Sequence, residues 1–383
     1  MNTNLTNQIK SNFIDKHGSK PLLVFSPGRI NVIGEHTDYN DGFVFPAAID
    51  KGIVAAFQQS NSDFCSIFAF DLNENYTFDL DNILPVEKGG WQNYILGVIA
   101  EIQKKGIALK PFNIVFGGDI PLGAGLSSSA ALENSIVFGL NELFQFGFSK
   151  EEMILISQKA EHNFVGVKCG IMDMYASMFG QENKLLLLDC RTIEAEPFQI
   201  DFQEYELVLI NTNVKHSLAD SAYNDRRIVC EKTATMLGKK ALRDASEDDL
   251  LGIKKTISEE DYQKSLYVVQ EIERTQEAAK AITDNNILKL GELLYSSHSG
   301  LQNQYKVSCE ELDFLVDRAK ENKNVIGSRM MGGGFGGCTI NIIAKTSTEK
   351  FISRVSKDYK EKFNKECSVY HIHLSKGTHI IDL

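Results

Sequence analysis

The sequence predicts an α+β protein of two domains, and three observations support this prediction. The chain has 383 residues, which is more than one ordinary hydrophobic core accommodates. Short apolar runs of strand length are interrupted irregularly by longer segments of helical spacing, whereas a parallel α/β sheet would show steady alternation. A strand-rich first half gives way near residue 205 to a helix-rich second half. We therefore expect domains at residues 1–205 and 206–383.

Each predicted element follows from the local periodicity of apolar residues. A helix is predicted to begin near Ser128, because apolar residues recur behind it at helical spacing, and residues 151–164 predict a second helix. Residues 231–281 are rich in charge and predict helices with weak breaks near Gly238 and Ser246. Compact apolar runs predict strands at 22–25, 53–57, 64–70, 113–116, 185–188, 207–210, 338–344 and 368–374.

The composition excludes several classes of protein. A formal net charge of −11 disfavours nucleic-acid binding, because a phosphate backbone requires a basic surface. Seven cysteines without the close spacing of a zinc or redox site indicate reduced thiols. The polar N-terminus has no signal-peptide core, and no apolar run reaches membrane-spanning length. We expect a cytoplasmic protein with neither a nucleic-acid nor a membrane partner.

Residues 121–130, Pro-Leu-Gly-Ala-Gly-Leu-Ser-Ser-Ser-Ala, form a glycine–serine loop between a predicted strand and a predicted helix. Gly123 and Gly125 permit a backbone path that approaches a ligand closely. Three serines follow, beside the free N–H groups of the first helical turn, and such a turn is an anion site. A plain turn with a serine cap is the alternative, although capping needs only one serine. The chain has no Gly-Lys-Ser/Thr loop, so if it binds ATP, it does so through this loop.

A second glycine-rich segment, the glycine cluster at residues 332–337, precedes a predicted strand. It contains Gly-x-Gly-x-x-Gly, the pattern of a dinucleotide-binding fingerprint. Such a fingerprint must open a helix, and this segment precedes a strand, so we do not interpret it as a dinucleotide-binding site. We expect the backbone of the glycine cluster to pack closely against the glycine–serine loop or against a ligand.

These segments belong to an ordered set of motifs. Residues 28–39, Gly-Arg-Ile-Asn-Val-Ile-Gly-Glu-His-Thr-Asp-Tyr, resemble the full galactokinase signature. The glycine–serine loop and residues 332–339 resemble the phosphate-binding and third motifs of the GHMP kinases. Between them, residues 160–162, 169–173 and 211–218 are also galactokinase-like. Mevalonate and homoserine kinases lack the Glu-His-Thr-Asp-Tyr stretch, so the resemblance is to the galactokinase family.

The resemblance implies a fold and an activity. The fold would be an N-terminal domain like the second domain of ribosomal protein S5 and a ferredoxin-like C-terminal domain, with the active site between them. The activity would be ATP-dependent phosphorylation of galactose at its anomeric C1 hydroxyl, the first committed step of galactose metabolism in the Leloir pathway. Galactose and ATP are then the partners of a monomeric enzyme with Mg²⁺ as its cofactor. Two alternatives remain open: a kinase for a related sugar, such as N-acetylgalactosamine or galacturonate, and a sensor that binds galactose and ATP without turnover.

The resemblance also implies a set of sugar ligands. Carboxylates and an imidazole can orient sugar hydroxyls through charge-assisted hydrogen bonds, although the spacing alone favours an acidic surface turn. Gly170 would contribute its backbone and Tyr223 its hydroxyl, whereas Tyr39 is expected to be structural. The implied ligands are Glu35, His36, Thr37, Asp38, Gly170 and Tyr223.

The implied catalytic residues are Asp173 and Arg29. On its own, Asp173 would more often be a helix cap or a buried acceptor. In the family pattern it lies beside the anomeric hydroxyl, whose proton a carboxylate can accept as the bond to phosphorus forms. Arg29 would stand close to Asp173 and the γ-phosphate, where it keeps the carboxylate ionised and offsets charge on the transferred group.

The implied ligands of Mg²⁺ are Ser129 and Glu161, a hydroxyl and a carboxylate of the kind that a hard cation prefers. Without the resemblance, Glu161 would be interpreted as a solvated helix residue. The implied ATP-binding residues belong to the glycine–serine loop and are Gly123, Ala124, Gly125, Leu126, Ser127, Ser128 and Ser129.

Overall fold

A computed structural model describes residues 2–121, 123–215 and 219–382 of the chain. Leu122 of the glycine–serine loop and residues 216–218 of the motif at 211–218 lie outside the described residues. The strands are β1 Leu22–Asn31, β2 Phe43–Val44, β3 Pro46–Gln59, β4 Cys65–Ala69, β5 Glu74–Phe78, β6 Phe112–Gly118, β7 Lys184–Asp189, β8 Glu194–Gln199, β9 Tyr205–Lys215, β10 Val325–Met330, β11 Gly336–Ala344, β12 Ser368–His371 and β13 His379–Ile380. The α-helices are α1 Thr3–His17, α2 Trp91–Lys104, α3 Ser128–Phe144, α4 Lys150–Ala160, α5 Met172–Phe179, α6 Ala219–Met236, α7 Glu247–Ile253, α8 Glu259–Thr283, α9 Ile287–Gly300, α10 Glu310–Lys320 and α11 Thr348–Phe363.

The larger sheet has the strand order β13-β1-β3-β6-β4-β5. Its long central strands β1 and β3 pair antiparallel and are buried almost throughout, because helices cover both faces. Alternate side chains of a strand point to opposite faces, so Val24 of β1 packs in the main core with α2, α3 and α4. Leu23 and Phe25 pack on the other face against Ile9 and Phe13 of α1. A third, small sheet is formed by β2, β7 and β8.

The second half of the chain contains a four-stranded antiparallel sheet of order β10-β11-β9-β12. In chain order its elements are a strand, helices, two strands, a helix and a strand, which is the β-α-β-β-α-β arrangement of a ferredoxin-like domain. Leu315 of α10 and Val355 of α11 pack on one face, against Val208 and Ile343. The opposite face contributes to the main core together with α9. The predicted ferredoxin-like domain is confirmed.

The C-terminal segment returns to the larger sheet. β13 pairs with β1, and Leu374 forms an isolated bridge with Ile49 of β3. The hydroxyl of Thr378 lies 2.9 Å from the hydroxyl of Ser26 in β1, in a buried position. Strand β13, which belongs to the second half of the chain, is therefore hydrogen-bonded to the sheet of the first half. The division of the chain near residue 205 stays a prediction.

Two α-helices continue into π-helical turns, each of which places a polar side chain in the interior. α4 continues into Glu161–Val165, and α9 continues into Leu301–Tyr305. Both Glu161 and Tyr305 are buried. Single π-helical turns occur frequently at functional sites, because they redirect side chains that a regular helix would place elsewhere.

The predicted elements agree well with the observed ones. Every predicted strand overlaps an observed strand, and α3 begins at Ser128 as predicted. The predicted breaks near Gly238 and Ser246 lie at the ends that separate α6 from α7. The helix predicted at 151–164 ends as α-helix at Ala160, because the π-helical turn follows. No helix in the described part of the chain combines the length and the apolar character needed to cross a bilayer.

Candidate active site

A cavity of about 560 Å³, here called the large cavity, lies between the glycine–serine loop and the glycine cluster. The two segments pack backbone to backbone, since a β-carbon added to Gly332 would lie 3.3 Å from the carbonyl oxygen of Gly125. This confirms that the glycine cluster packs against the glycine–serine loop. Because one segment comes from each half of the chain, the large cavity lies between the two halves.

A smaller cavity of about 120 Å³, the small cavity, adjoins the large one. Its walls include Glu35, His36 and Asp38 from the motif at 28–39, together with Cys169 and Met172. The residues that line both cavities include Arg29, Glu161, Asp173 and Tyr223. The structure thus brings most of the sequence-predicted site residues around two adjoining cavities.

Arg29 and Asp173 are paired at the junction of the two cavities. Nε of Arg29 donates to Oδ1 of Asp173 at 2.8 Å, and Nη2 donates to Oδ2 at 2.9 Å. Nη1 donates to the carbonyl oxygen of Gly125 at 2.6 Å, and the hydroxyl of Ser127 donates to Oδ2 of Asp173. Bidentate pairing with a buried guanidinium fixes the plane of the carboxylate. Ser127, predicted only as an ATP-binding residue, therefore also contacts the predicted catalytic carboxylate.

The backbone of β1 explains the position of Arg29. The register between β1 and β3 shifts between Pro27 and Arg29, and such a bulge redirects the side chains beside it. A β-carbon on Gly28 would lie 2.6 Å from the carbonyl oxygen of Leu126. Glycine is therefore required at this position for the glycine–serine loop to cross β1 closely enough to reach Arg29.

Glu35 is held by a buried arginine that the sequence analysis missed. Arg329, at the end of β10, is fully buried, and its Nη2 donates to Oε1 of Glu35 at 3.1 Å. The N–H of Gly332 donates to the same oxygen at 2.8 Å. Other N–H groups of Arg329 donate to the carbonyl oxygens of Asn31 and Val32. The glycine cluster and its preceding strand thus position a predicted sugar ligand of the first half.

His36 is buried and adopts a left-handed backbone conformation with φ of 63°. Its Nδ1 lies 2.7 Å from the hydroxyl of Tyr39, and its buried Nε2 makes no hydrogen bond of good geometry with the described residues, although the nearby backbone of Gly333 raises the pKa of the ring. Burial, and secondly the positive charge of Arg226, lower the pKa of His36 to about 3. The imidazole is therefore neutral near pH 7, with one donor and one acceptor nitrogen.

Asp38 is enclosed so tightly that its carboxylate touches a backbone. A β-carbon on Gly170 would lie only 1.9 Å from Oδ2 of Asp38. Burial, and secondly the negative charge of Asp173, raise the pKa of Asp38 to about 7. The N–H of Tyr39 donates to Oδ1 of Asp38 at 2.9 Å and opposes this shift.

Two of the six implied sugar ligands do not line the small cavity. The fully buried hydroxyl of Thr37 is directed at the carbonyl oxygens of Gly34 and Phe43, and Gly170 packs against Asp38. Tyr223 does line both cavities, and its ring centroid lies 5.3 Å from that of His36. Direct contact of Thr37 and Gly170 with a sugar stays a prediction.

Buried carboxyl groups lie close together near the glycine–serine loop, and the positive charge of Arg29 only partly offsets their effect on Glu161. The hydroxyl of Ser129 donates to Oε1 of Glu161 at 3.4 Å. Burial, and secondly the charge of Asp173, raise the pKa of Glu161 to about 7. Glu133 of α3 is fully buried, neither of its oxygens receives a hydrogen bond from the described residues, and burial raises its pKa further. Oxygen donors with uncompensated negative charge fit a hard divalent cation.

The protein supplies few ligands for such a cation. Across the described residues, no group of three or more histidine, cysteine, aspartate or glutamate side chains is arranged to hold a metal ion. Proteins in general bind Mg²⁺ with few ligands of their own, because the ion keeps several waters and takes one or two carboxylates together with phosphate oxygens of a substrate. The residues present therefore fit Mg²⁺ better than a metal that needs a complete protein cage.

A third cavity, of about 700 Å³, here called the aromatic cavity, adjoins the glycine–serine loop. It shares Ser128, Ser129 and Tyr94 with the large cavity, and Trp91 and Leu132 form part of its remaining wall. The indole N–H of Trp91 donates to Glu74 at 2.8 Å. No motif in the sequence pointed to this cavity, although Trp91 is the single tryptophan of the chain and begins α2.

Three family models match the chain. The model of the GHMP kinases N terminal domain matches residues 93–181, and that of the galactokinase galactose-binding signature matches residues 11–59. The model of the GHMP kinases C terminal domain matches residues 278–361. The first two ranges contain the glycine–serine loop and the motif at 28–39, and the third contains the glycine cluster.

The chain is also similar to proteins named galactokinase in several bacteria. It is 39% identical over 356 residues to that of Thermotoga petrophila, covering 93% of this chain and 99% of the relative. It is 40% identical over 358 residues to that of Thermosipho africanus, with the same coverage. For the protein of Clostridium beijerinckii, the identity is 38% over 381 residues, covering 97% of this chain and 98% of the relative.

Solved structures resemble the whole fold. The crystal structure of Lactococcus lactis galactokinase complexed with galactose superposes with a TM-score of 0.93 and 33% identity, covering 98% of this chain and 99% of the other. Mevalonate kinase of Methanococcus jannaschii superposes with a TM-score of 0.66 and 16% identity, covering 94% and 100%. The second likeness concerns the fold alone.

Proposed function

The chain belongs to the galactokinase family of the GHMP kinases, and we propose from this premise that it transfers the γ-phosphate of ATP to the anomeric C1 hydroxyl of galactose. The products are galactose 1-phosphate and ADP. The predicted family and its two-domain GHMP kinase fold are confirmed. The observation that carries the residue-level mechanism is the Arg29–Asp173 pair, which lies where the small and large cavities meet.

Galactose occupies the small cavity in this proposal. Glu35, His36 and Asp38 line a volume of about 120 Å³, and their polar side chains can exchange hydrogen bonds with sugar hydroxyls. A site with buried polar groups discriminates strongly, because a ligand that lacks a matching hydroxyl leaves those groups unpaired. Tyr223 closes the cavity toward the phosphates.

ATP occupies the large and aromatic cavities in this proposal. The phosphates lie against the glycine–serine loop and the N-terminus of α3, where free N–H groups favour anions. The aromatic cavity continues from Ser128 and Ser129 toward Trp91 and Tyr94, so the adenine would stack there. The large cavity has the more polar walls, which suit the phosphates, and the aromatic cavity has the more apolar walls, which suit the base.

Asp173 and Arg29 carry out the transfer in this proposal. Asp173 accepts the proton of the C1 hydroxyl while that oxygen bonds to the γ-phosphorus and the bond to the β-phosphate oxygen breaks. Three hydrogen bonds to its carboxylate hold it in one orientation, which makes positioning of the hydroxyl a large part of its effect. Arg29 balances the charge of the carboxylate and of the transferred phosphoryl group.

We propose Ser129 and Glu161 as the side chains that hold Mg²⁺. When bound, the ion supplies positive charge that neutralises the phosphate oxygens. Glu161 is buried and acquires its raised pKa from burial and from the charge of Asp173, and a cation removes that penalty. The carboxyl group of Glu133 is close enough to Glu161 that, after burial, the charge of Glu161 raises the pKa of Glu133 further.

A coupled assay of ADP release over a panel of sugars tests this function. We expect turnover with galactose and MgATP, the formation of galactose 1-phosphate as seen by ³¹P spectroscopy, and little turnover with glucose or mevalonate. Faster turnover with N-acetylgalactosamine or galacturonate than with galactose would show that the preferred substrate is that related sugar. Galactose binding without ADP release would indicate a sensor.

A further inference from the structure

A row of hydroxyl groups extends from His36 into the second half of the chain. Nδ1 of His36 lies 2.7 Å from the hydroxyl of Tyr39, which lies 2.7 Å from the hydroxyl of Tyr305. The row ends at the thiol of Cys230, whose sulfur lies 3.5 Å from the hydroxyl of Tyr305. Tyr305 is fully buried, as is Cys230 apart from 1% of its surface.

Tyr305 is held firmly at its place in the row. It ends the π-helical turn after α9 and packs against the ring of His36, with centroids 4.9 Å apart and ring planes tilted by 51°. Arg226 of α6 donates from Nε to the carbonyl oxygen of Tyr305 at 2.9 Å, and from Nη2 to that of Lys306 at 3.0 Å. The ring of Tyr267 packs on its other side, with centroids 4.8 Å apart.

Such a row determines which nitrogen of His36 carries the proton. A neutral imidazole has one N–H and one bare nitrogen, and the partner of one nitrogen fixes the state of the other. If the Tyr39 hydroxyl donates to Nδ1, the proton of His36 lies on Nε2. If Nδ1 donates to Tyr39, Nε2 is bare and can only accept.

The chemistry of the groups favours the first direction. A bare imidazole nitrogen is a stronger acceptor than a phenol oxygen, and a thiol sulfur is a weak acceptor. In the first direction Tyr305 donates to Tyr39 and Tyr39 donates to Nδ1, so both phenols donate to good acceptors. In the reverse direction the last donor, Tyr305, would have only the sulfur of Cys230.

We propose that Tyr39 and Tyr305 are positioning residues for the sugar, which hold His36 in the tautomer that presents an Nε2–H donor to the small cavity. The proposal rests on the assignment of galactose to that cavity. The hydroxyl that meets Nε2–H must accept this hydrogen bond, and it remains free to donate its own proton to a carboxylate of the same wall, such as Asp38. Tyr39 thereby sets the polarity of a sugar contact, and Tyr305 of the second half holds the Tyr39 hydroxyl in place.

The direct test is the ¹⁵N spectrum of the histidine-labelled, sugar-free full-length protein. The signals of His36 are assigned by their absence in His36→Gln. We expect a bare Nδ1 and a protonated Nε2 in the wild type. Tyr39→Phe removes the hydroxyl that donates to Nδ1, so the protonated Nε2 population should fall in that variant. A protonated Nδ1 in the wild type would overturn the proposal, and this readout does not depend on whether galactose is the substrate.

The kinetic test compares Tyr305→Phe with Tyr359→Phe, which removes another buried tyrosine hydroxyl whose partner is the carbonyl oxygen of Thr212. We expect Tyr305→Phe to raise the galactose KM about threefold to tenfold, the range for one lost hydrogen bond, with the ATP KM unchanged. Tyr359→Phe should change neither KM. Equal effects of the two variants on the galactose KM, or equal changes in galactose and ATP KM in Tyr305→Phe, would overturn the proposal.

Discussion

Gly170 and Asp38 are packed so closely that a β-carbon on Gly170 would lie 1.9 Å from Oδ2 of Asp38. The contact joins the motif at 169–173 to the motif at 28–39, which are far apart in the chain. This close packing is by itself a sufficient reason for glycine at position 170, whether or not Gly170 also contacts the sugar.

Replacement of Gly170 by alanine should therefore act through Asp38. The new methyl group must displace the carboxylate, and we expect the galactose KM to rise about tenfold or more, equivalent to about 1.4 kcal/mol. The ATP KM should change little, because Asp38 lines only the small cavity. Steady-state kinetics with each substrate varied in turn measure both values.

The matched control is Gly252→Ala in α7, where no atom lies within 4 Å of the added β-carbon. It should leave both KM values unchanged, because the added methyl group has room and displaces no other side chain. A galactose KM in Gly170→Ala equal to that of the control would show that the carboxylate of Asp38 is not needed for binding.

Asp38 should make the sugar-free protein less stable as the pH rises. Its pKa is about 7 in the folded protein against an ordinary value of 3.8. Between these values the folded protein binds a proton that the unfolded chain has released, so the free energy of unfolding falls as the pH rises through this window.

Asp38→Asn removes this effect, since the amide does not titrate. We expect the variant to gain about 1–3 kcal/mol over the wild type at pH 8 and much less at pH 4, while its affinity for galactose falls. Denaturant unfolding at the two pH values measures the gain. A stability difference that is the same at pH 4 and pH 8 would contradict the raised pKa of Asp38.

Glu161→Ala should raise the Mg²⁺ concentration needed for half-maximal rate. Glu161 is one of two side chains proposed to hold the ion, and we expect a shift of about tenfold to a hundredfold. Glu151→Ala, at the exposed start of α4, the helix that leads into the turn of Glu161, serves as the control. Identical Mg²⁺ titrations for wild type and Glu161→Ala would reject Glu161 as a ligand.

Trp91→Ala should weaken ATP without weakening galactose. Stacking of a base on an aromatic side chain contributes about 1–3 kcal/mol, so we expect the ATP KM to rise about fivefold to a hundredfold. Trp91→Phe keeps an aromatic face and should restore most of the loss. An ATP KM that is unchanged in Trp91→Ala would exclude the aromatic cavity as the adenine site.

The predicted site residues are those that lie in short motifs recognisable in the sequence. Glu35, His36 and Asp38 lie in one short motif, and Asp173 begins a helix that packs against β1. Motif resemblance could therefore predict them without knowledge of the fold.

The residues that the sequence analysis missed act across long separations. Arg329 meets Glu35, and Tyr305 meets Tyr39, only after the two halves of the chain pack together. No local pattern marks such a pair, because a buried arginine in a strand and a tyrosine at the end of a helix are each common. Trp91 offered a weak signal as the single tryptophan of the chain.

The strands that were not predicted lack the pattern on which strand prediction depends. β5 and β8 are largely polar and half exposed, and β8 contains Pro197. β10 places Gly327 and the buried, paired Arg329 among apolar residues, which interrupts the apolar run. Tertiary pairing with β11 determines this strand more than local composition does.

The measurement that tests the catalytic centre most directly is phosphoryl transfer by Asp173→Asn, with galactose binding measured on the same protein by calorimetry. The amide keeps the shape of the side chain but cannot accept the proton of the C1 hydroxyl. We predict that galactose still binds within about threefold of the wild-type affinity and that the transfer rate falls about 10²- to 10⁴-fold. Transfer within about tenfold of the wild-type rate, with normal galactose binding, would contradict the assignment of Asp173 as the catalytic carboxylate.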